Sequence, residues 1–141
     1  MIPAGLYLAD TSAIARVAHQ EVSRELTRLG RQGLLATCLT VDLEVLYSAR
    51  SPTEYRTISA RRALGFIDLP LTAAVAARAR AVQALLAGRS QHRAAGVIDL
   101  LTAAAAEHHR AIVLHYDADF EHIARVTGQE TRWVVPAGSA G

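Results

Sequence analysis

Two short apolar runs, one near each end of the chain, stop at an aspartate in the same way. Leu6-Tyr7-Leu8-Ala9 leads into Asp10-Thr11-Ser12, and Ala111-Ile112-Val113-Leu114-His115 leads into Tyr116-Asp117-Ala118-Asp119-Phe120. Each run has the length of a strand. Open α/β sheets bind their ligands just beyond the carboxyl ends of the strands, so an acid placed there is aimed at a site. Two such constructions far apart in sequence predict neighbouring parallel strands that deliver carboxylates to one shared place.

The segments between them alternate in the manner of a parallel sheet with helical crossovers. After the strand 6–9, Thr11-Ser12 opens a helix through Val17. Residues 21–32 form a second helix, with Val22, Leu26 and Leu29 on one face and Arg24, Arg28 and Arg31 on another, closed by Gly33. Leu34–Thr37 is the next strand. Thr40 is placed as the N-cap of a helix carrying Asp42 in its first turn, Leu43, Leu46 and Tyr47 on one face, and Glu44 at the edge of that face. Further elements are a helix from Pro52 to about Ala63, a strand over 65–69, a helix over 72–87 ended by Gly88, and a polar basic loop 89–93. A helix over 95–109, the strand 112–115, a helix over 119–127 stopped by Gly128, and a strand over 132–135 complete the pattern. No repeat or linker interrupts it. A single domain over residues 1–141 is expected, with 136–141 as a frayed tail.

Composition narrows the setting. The single cysteine, Cys38, excludes an internal disulfide, lies in an apolar run and reads as a buried small side chain. A reducing, cytoplasmic compartment is expected. Met1-Ile2-Pro3-Ala4-Gly5 lacks the basic region of a signal peptide. No apolar run reaches the ~20 residues of a membrane span; the longest candidate, 71–86, is interrupted by Arg78 and Arg80. The net charge is only +2, but all 15 basic residues are arginine, which binds phosphate in bidentate fashion and stacks on bases. A mildly basic surface around a local acidic cluster suits a metal-dependent enzyme acting on a polyanion.

Among the 13 acids, four stand apart: Asp10, Glu44, Asp99 and Asp117, with Asp119 as a fifth. Asp99 lies early in the helix Gly96-Val97-Ile98-Asp99-Leu100-Leu101-Thr102-Ala103, on the side that carries Thr102, Ala103 and Ala106. That small-residue face lets the helix lie close to the sheet with its carboxylate in a narrow cleft. Grouped buried carboxylates are costly and raise one another's pKa. A hard cation such as Mg²⁺ or Mn²⁺ removes the penalty through oxygen ligation. Each acid also has an ordinary alternative. Asp10, Asp117 and Asp119 can cap helices, and Glu44 can be a solvated helix residue. No Cys/His set has zinc spacing, and the neighbours His108 and His109 cannot share a helix face.

At these residues the chain resembles the PIN-domain ribonucleases, specifically the VapC toxins of VapBC toxin–antitoxin pairs. The likeness is carried by Leu8-Ala9-Asp10-Thr11-Ser12, by Glu44 within 40–46, by Asp99 within 98–105, and by Leu114-His115-Tyr116-Asp117-Ala118-Asp119-Phe120. The loop before Asp99 departs from the pattern, with Gln91-His92-Arg93-Ala94-Ala95 where a proline is common. The resemblance implies a three-layer α/β/α sandwich around a mainly parallel sheet, and Mg²⁺- or Mn²⁺-dependent cleavage of single-stranded or looped RNA. It also implies inhibition by a VapB-type antitoxin, a homodimer, and a toxin–antitoxin hetero-oligomer. Asp10, Asp99 and Asp117 would hold one or two ions, two of them lying ~3.5–4 Å apart. Glu44 would bind metal or orient water, and Asp119 would be a ligand or a cap. The Thr11 and Ser12 hydroxyls would orient Asp10 or a metal water, or simply cap. Arg89 and Arg93 are candidate phosphate contacts. His115 is expected to pack at the strand end.

Several rivals lack parts they require. A phosphoacceptor receiver needs an acidic pair after the first strand and a late lysine. A haloacid-dehalogenase-type phosphatase needs Asp-x-Asp where Asp10 is followed by Thr11-Ser12. A nucleotide-binding fold needs a Gly-rich first turn. A catalytically silent PIN module that binds RNA or a protein partner is the remaining alternative. Val82, Leu85 and Leu86 are expected to face the sheet or a second subunit.

Overall fold

The strands are short, apolar and paired only in parallel. The computed structural model describes residues 2–141. Its strands are β1 (Tyr7–Ala9), β2 (Leu35–Thr37), β3 (Ile67–Asp68), β4 (Ile112–His115) and β5 (Thr131–Trp133), in the sheet order β3-β2-β1-β4-β5. Leu8 stands opposite Ala36 on one side and Val113 on the other, and Ala9 opposite Leu114. β1 and β4 are therefore direct neighbours, as their shared strand-then-aspartate pattern predicts. From β1 the chain steps outward to β2 and β3, then crosses back to β4 on the far side of β1. The crevice at this reversal, beyond the carboxyl ends of β1 and β4, is where such sheets bind ligands.

Both faces of the sheet are covered, which gives three layers. Leu8, Ala36 and Val113 point into a core built with α3 (Leu39–Tyr47), α5 (Ala73–Ala87), α6 (Val97–His108) and α7 (Asp119–Thr127). Ala9, Leu35 and Leu114 point the other way, against Ala13 of α1 (Thr11–Ile14) and Val22, Leu26 and Leu29 of α2 (Gln20–Arg31). The run Ala103–Ala106 of α6 is buried throughout, so the helix lies close against its neighbours without large side chains between them. Gly128 ends α7 in the left-handed conformation, φ 71°, which a residue without Cβ adopts freely. No described helix is long and apolar enough to cross a membrane.

Several local expectations change. The first helix stops at Ile14 instead of Val17, because the chain tightens into turns closed by Arg16 N–H to Ala13 C=O and Val17 N–H to Ile14 C=O, both 3.1 Å. Thr40 is not the N-cap of α3. Cys38 holds that position, and the Thr40 hydroxyl turns inward to meet the Thr102 hydroxyl at 2.8 Å and the Cys38 thiol at 3.0 Å. The buried hydroxyl pair satisfies both side chains and ties α3 to α6. On α5, Val82 and Leu86 belong to the core and only Leu85 remains outside. The outward apolar face is on α3 instead, where Leu43 and Tyr47 are exposed.

Helix α4 (Pro52–Gly65) is held in an unusual way. Its one buried residue is Arg62. The guanidinium donates from Nε to Asp42 Oδ1 at 2.9 Å and from Nη2 to Thr37 Oγ1 at 2.8 Å, and it lies 4.5 Å over the Phe66 ring. A charge-assisted, nearly dry contact thus anchors α4, in place of an apolar stripe. Arg62→Ala is expected to cost ~2–4 kcal/mol in urea unfolding, since it removes the anchor and leaves Asp42 without its counter-charge. A change below ~0.5 kcal/mol would mean that α4 is secured elsewhere.

Candidate metal centre

The exits of β1 and β4 are stitched together before any acid is considered. Asp10 N–H donates to Leu114 C=O at 2.9 Å, and Tyr116 N–H donates to Ser12 Oγ at 2.9 Å. Asp10 caps α1, accepting Ser12 N–H at Oδ2 over 3.0 Å. Its other oxygen, Oδ1, is buried and has no hydrogen-bond partner. The ordinary capping role is therefore real, yet it uses only half of a carboxylate that is 3% exposed.

The acids from the distant parts of the chain converge here. Asp99, in the first turn of α6, joins Asp117 and Asp119, with one carboxylate oxygen from each lying within 4.8 Å of the others. Asp10 is not a member of that trio, but its charge is the largest among those acting on Asp99. Glu44 is exposed on α3 and accepts the Thr11 hydroxyl at 2.8 Å, which links it to the residue after Asp10. Thr11 thus orients Glu44, while Ser12 serves Asp10 through its N–H and the β4 exit through its hydroxyl. Asp119 makes no capping bond to α7; its N–H donates to Asp117 Oδ1 at 2.9 Å, and its carboxyl is in the trio.

Electrostatics mark the same place. Burial and then the like charges of Asp10, Asp117, Asp119 and Glu44 push the Asp99 carboxyl up to about 7. Burial also raises Asp10, against the opposing hydrogen bonds from Ser12, and raises Asp119, reinforced by Asp117. The three close carboxylates are a hard, oxygen-only donor set whose chemistry suits a cation such as Mg²⁺ or Mn²⁺ and offers nothing to a soft metal, and the orphaned Asp10 oxygen is of the same kind.

Other candidates are less central. Arg89 and Arg93 are exposed in the loop that precedes α6. His115 is fully buried at the end of β4, with Phe120 and Trp133 rings 5.1 and 5.0 Å away, and burial lowers its pKa to about 4. Sequence reasoning missed the Thr40–Thr102 pair and the Tyr116–Ser12 bond, because nothing local distinguishes these hydroxyls from solvated ones. An apolar cavity of about 400 Å³ lined by Thr11, Thr40, Leu43, Glu44, Tyr47 and Ile98 adjoins the site. A larger one of about 830 Å³ along α2 shares no residue with it.

The sequence matches the family described as PIN domain over residues 7–126. Ribonuclease VapC51 of Mycobacterium tuberculosis is 48% identical over 134 residues, covering 94% of this chain and 96% of that protein. Ribonuclease VapC21 of the same species is 43% identical over 136 residues, covering 95% and 97%. The fold matches a chain of DNA-bound VapBC from Salmonella typhimurium with a TM-score of 0.72 at 16% identity, over 93% of this chain and 99% of that one. A chain of VapBC2 from Rickettsia felis, bound to a promoter DNA fragment, matches with a TM-score of 0.74 at 15% identity, over 91% and 98%.

Proposed function

Because the chain belongs to the PIN-domain family and groups there with the VapC ribonucleases, we propose that it is a divalent-metal-dependent endoribonuclease and the toxin of a toxin–antitoxin pair. The observation that carries the metal chemistry is the convergence of Asp99, Asp117 and Asp119 within 4.8 Å, beside the buried free oxygen of Asp10. Asp10, Asp99 and Asp117 are the proposed ligands, with Asp119 completing the set, and Glu44 is the group that orients an attacking water. A bound Mg²⁺ or Mn²⁺ would supply a water of lowered pKa and stabilise charge on the phosphate.

The protein's own contribution is positional. The bonds between the β1 and β4 exits fix Asp10 against Asp117, and Thr11 holds Glu44 at the rim. Burial raises the Asp10 and Asp99 carboxyls, so these two act in a partly dry setting where charge interactions are strong. The open cavity beside Glu44, with exposed Tyr47 on its edge, offers a place for an unstacked base. That geometry favours single-stranded or looped RNA of transfer, ribosomal or messenger type, with Arg89 and Arg93 as backbone contacts on the approach to α6.

A VapB-type antitoxin is the proposed inhibitor, supported by the VapBC complexes that share the fold. A homodimer, a hetero-oligomer with the antitoxin and a cytoplasmic setting belong to the same proposal, as does one domain spanning residues 1–141 with a short tail.

The test is cleavage of total RNA by the purified chain with Mg²⁺, Mn²⁺ or EDTA, beside a folded Asp10→Asn variant. Discrete cuts are expected with metal, together with a loss of at least ~10²–10³-fold in the variant and with EDTA. Cleavage that persists in EDTA would overturn the metal mechanism. No cleavage with any metal, by folded protein free of antitoxin, would point to a binding module.

A further inference from the structure

Asp117 stands in the middle of a five-residue turn, 115–119, and is tied to both of its ends. At the far end, Asp119 N–H donates to Asp117 Oδ1 over 2.9 Å. At the near end, Asp117 N–H donates to the ring of His115, at Nδ1, over 3.1 Å. An imidazolium has no lone pair at Nδ1, so a ring that accepts there is neutral and carries its proton on Nε2. That Nε2 is buried without a hydrogen-bond partner, and the ring lies between Phe120 and Trp133. Trp133 is itself held by Nε1–H to Glu121 Oε1 at 2.9 Å. The imidazole is thus locked in place by aromatic neighbours, with one nitrogen aimed at the backbone of an acid in the trio. A residue that only filled the core at this position would need no acceptor.

We propose that His115 is a positioning residue for Asp117: its neutral ring, protonated at Nε2, accepts the Asp117 N–H and sets the turn that presents the Asp117 carboxylate to Asp99 and Asp119. The inference rests on the proposed metal centre, to which it adds a supporting group behind one ligand. Groups that orient metal ligands in this way change metal affinity by ~10–100-fold when removed. His115 touches neither substrate nor metal in this role, and it moves no proton.

The test compares wild type with His115→Leu, which fills the aromatic slot but has no acceptor, and with His115→Asn, whose side-chain oxygen can take the place of Nδ1. Mn²⁺ binding is read by calorimetric titration, the tautomer by imidazole ¹⁵N shifts, and the hydrogen bond by exchange of the Asp117 amide. Wild type is expected to show a protonated Nε2 and a protected Asp117 amide. H115L is expected to keep its thermal stability yet bind Mn²⁺ ~10–100-fold more weakly, with a fast-exchanging amide. H115N is expected to be the less stable protein, with a second buried polar group to satisfy, yet to bind Mn²⁺ within roughly threefold of wild type. That inverted ranking is one a merely structural histidine would not produce. An Nδ1-protonated ring, an Asp117 amide no better protected in wild type than in H115L, or H115N losing as much affinity as a folded H115L would each overturn the proposal. If H115L does not fold, the tautomer and the H115N affinity decide. Absence of Mn²⁺ binding by wild type would instead overturn the metal centre itself, and amide protection would then judge the role of His115 alone.

Discussion

Asp99→Asn is expected to lower RNA cleavage by on the order of 10³-fold and, at the same time, to make the metal-free protein melt higher than wild type at pH 8. The two effects have one cause. Asp99 is partly buried among like charges, with its carboxyl pushed up to about 7 by burial and by Asp10, Asp117, Asp119 and Glu44. In the unfolded chain the same group ionises near its ordinary value of 3.8. Between these two pH values the native state holds a proton that the unfolded state has released, so rising pH favours unfolding. The slope from this group is at most ~1.4 kcal/mol per pH unit. Below about 4 the group costs nothing, and above about 7 its full penalty is present. Asparagine removes the charge at nearly constant shape, so the variant's stability changes less over that window. Metal reverses the order: ligation requires the carboxylate and displaces its proton. Millimolar Mg²⁺ at pH 8 is expected to raise the wild-type melting temperature by several degrees and to leave the variant nearly unmoved. Scanning calorimetry at pH 5 and pH 8, with and without Mg²⁺, separates these cases. A metal-free variant that melts below wild type at pH 8 would show that the Asp99 charge is already compensated within the fold.

Phe120→Ala is expected to be the most damaging single truncation for stability, costing ~3–5 kcal/mol and lowering the melting temperature by roughly 10–20 °C. The ring is fully buried in the core that joins the sheet to α5, α6 and α7, where Leu8, Val113 and Ile123 also lie. It is the second residue of α7, next to Asp119, and its ring faces His115 at 5.1 Å. Neighbours on a short parallel sheet cannot collapse far enough to fill the space, so the loss includes a cavity as well as the transfer of the ring to water. Phe120→Leu should retain more than half of the stability lost in the alanine variant. Urea unfolding of the three proteins gives the comparison. A loss below ~1.5 kcal/mol in Phe120→Ala would mean that α7 rearranges to fill the gap. The site should suffer as well, because the same ring supports the turn that carries Asp117 and Asp119.

Much of the architecture is legible in the chain because its signals are local. Strand-length apolar runs before Asp10 and Tyr116, the periodic face of α2, Gly33, Gly88 and Gly128, and long crossovers together specify parallel strands with helices on both sides. Likewise Asp10 and Asp117 stand out because each follows a strand-length apolar run, and Asp99 because it is an acid in apolar company, which burial penalises. The cap of α3 lies at Cys38, two residues before Thr40, for the converse reason: a threonine before a helical pattern looks like a cap, and the Thr102 hydroxyl that draws it inward lies 62 residues away. Arg62 is similar, a buried guanidinium that nothing in the neighbouring residues distinguishes from the exposed Arg61.

What the sequence by itself determined, then, is the kind of fold and the chemistry of its acids, since period, strand ends and residue type are read within a few neighbours. Only the tertiary structure decided which oxygens meet. It set Asp119 in the trio with Asp99 and Asp117, left Asp10 beside it with one free oxygen, gave Thr11 to Glu44, and put the His115 ring under the Asp117 backbone. These pairings depend on the order of the strands and the pitch of α3 and α6 against them. Packing over the whole core sets both, and no single stretch of sequence carries that information.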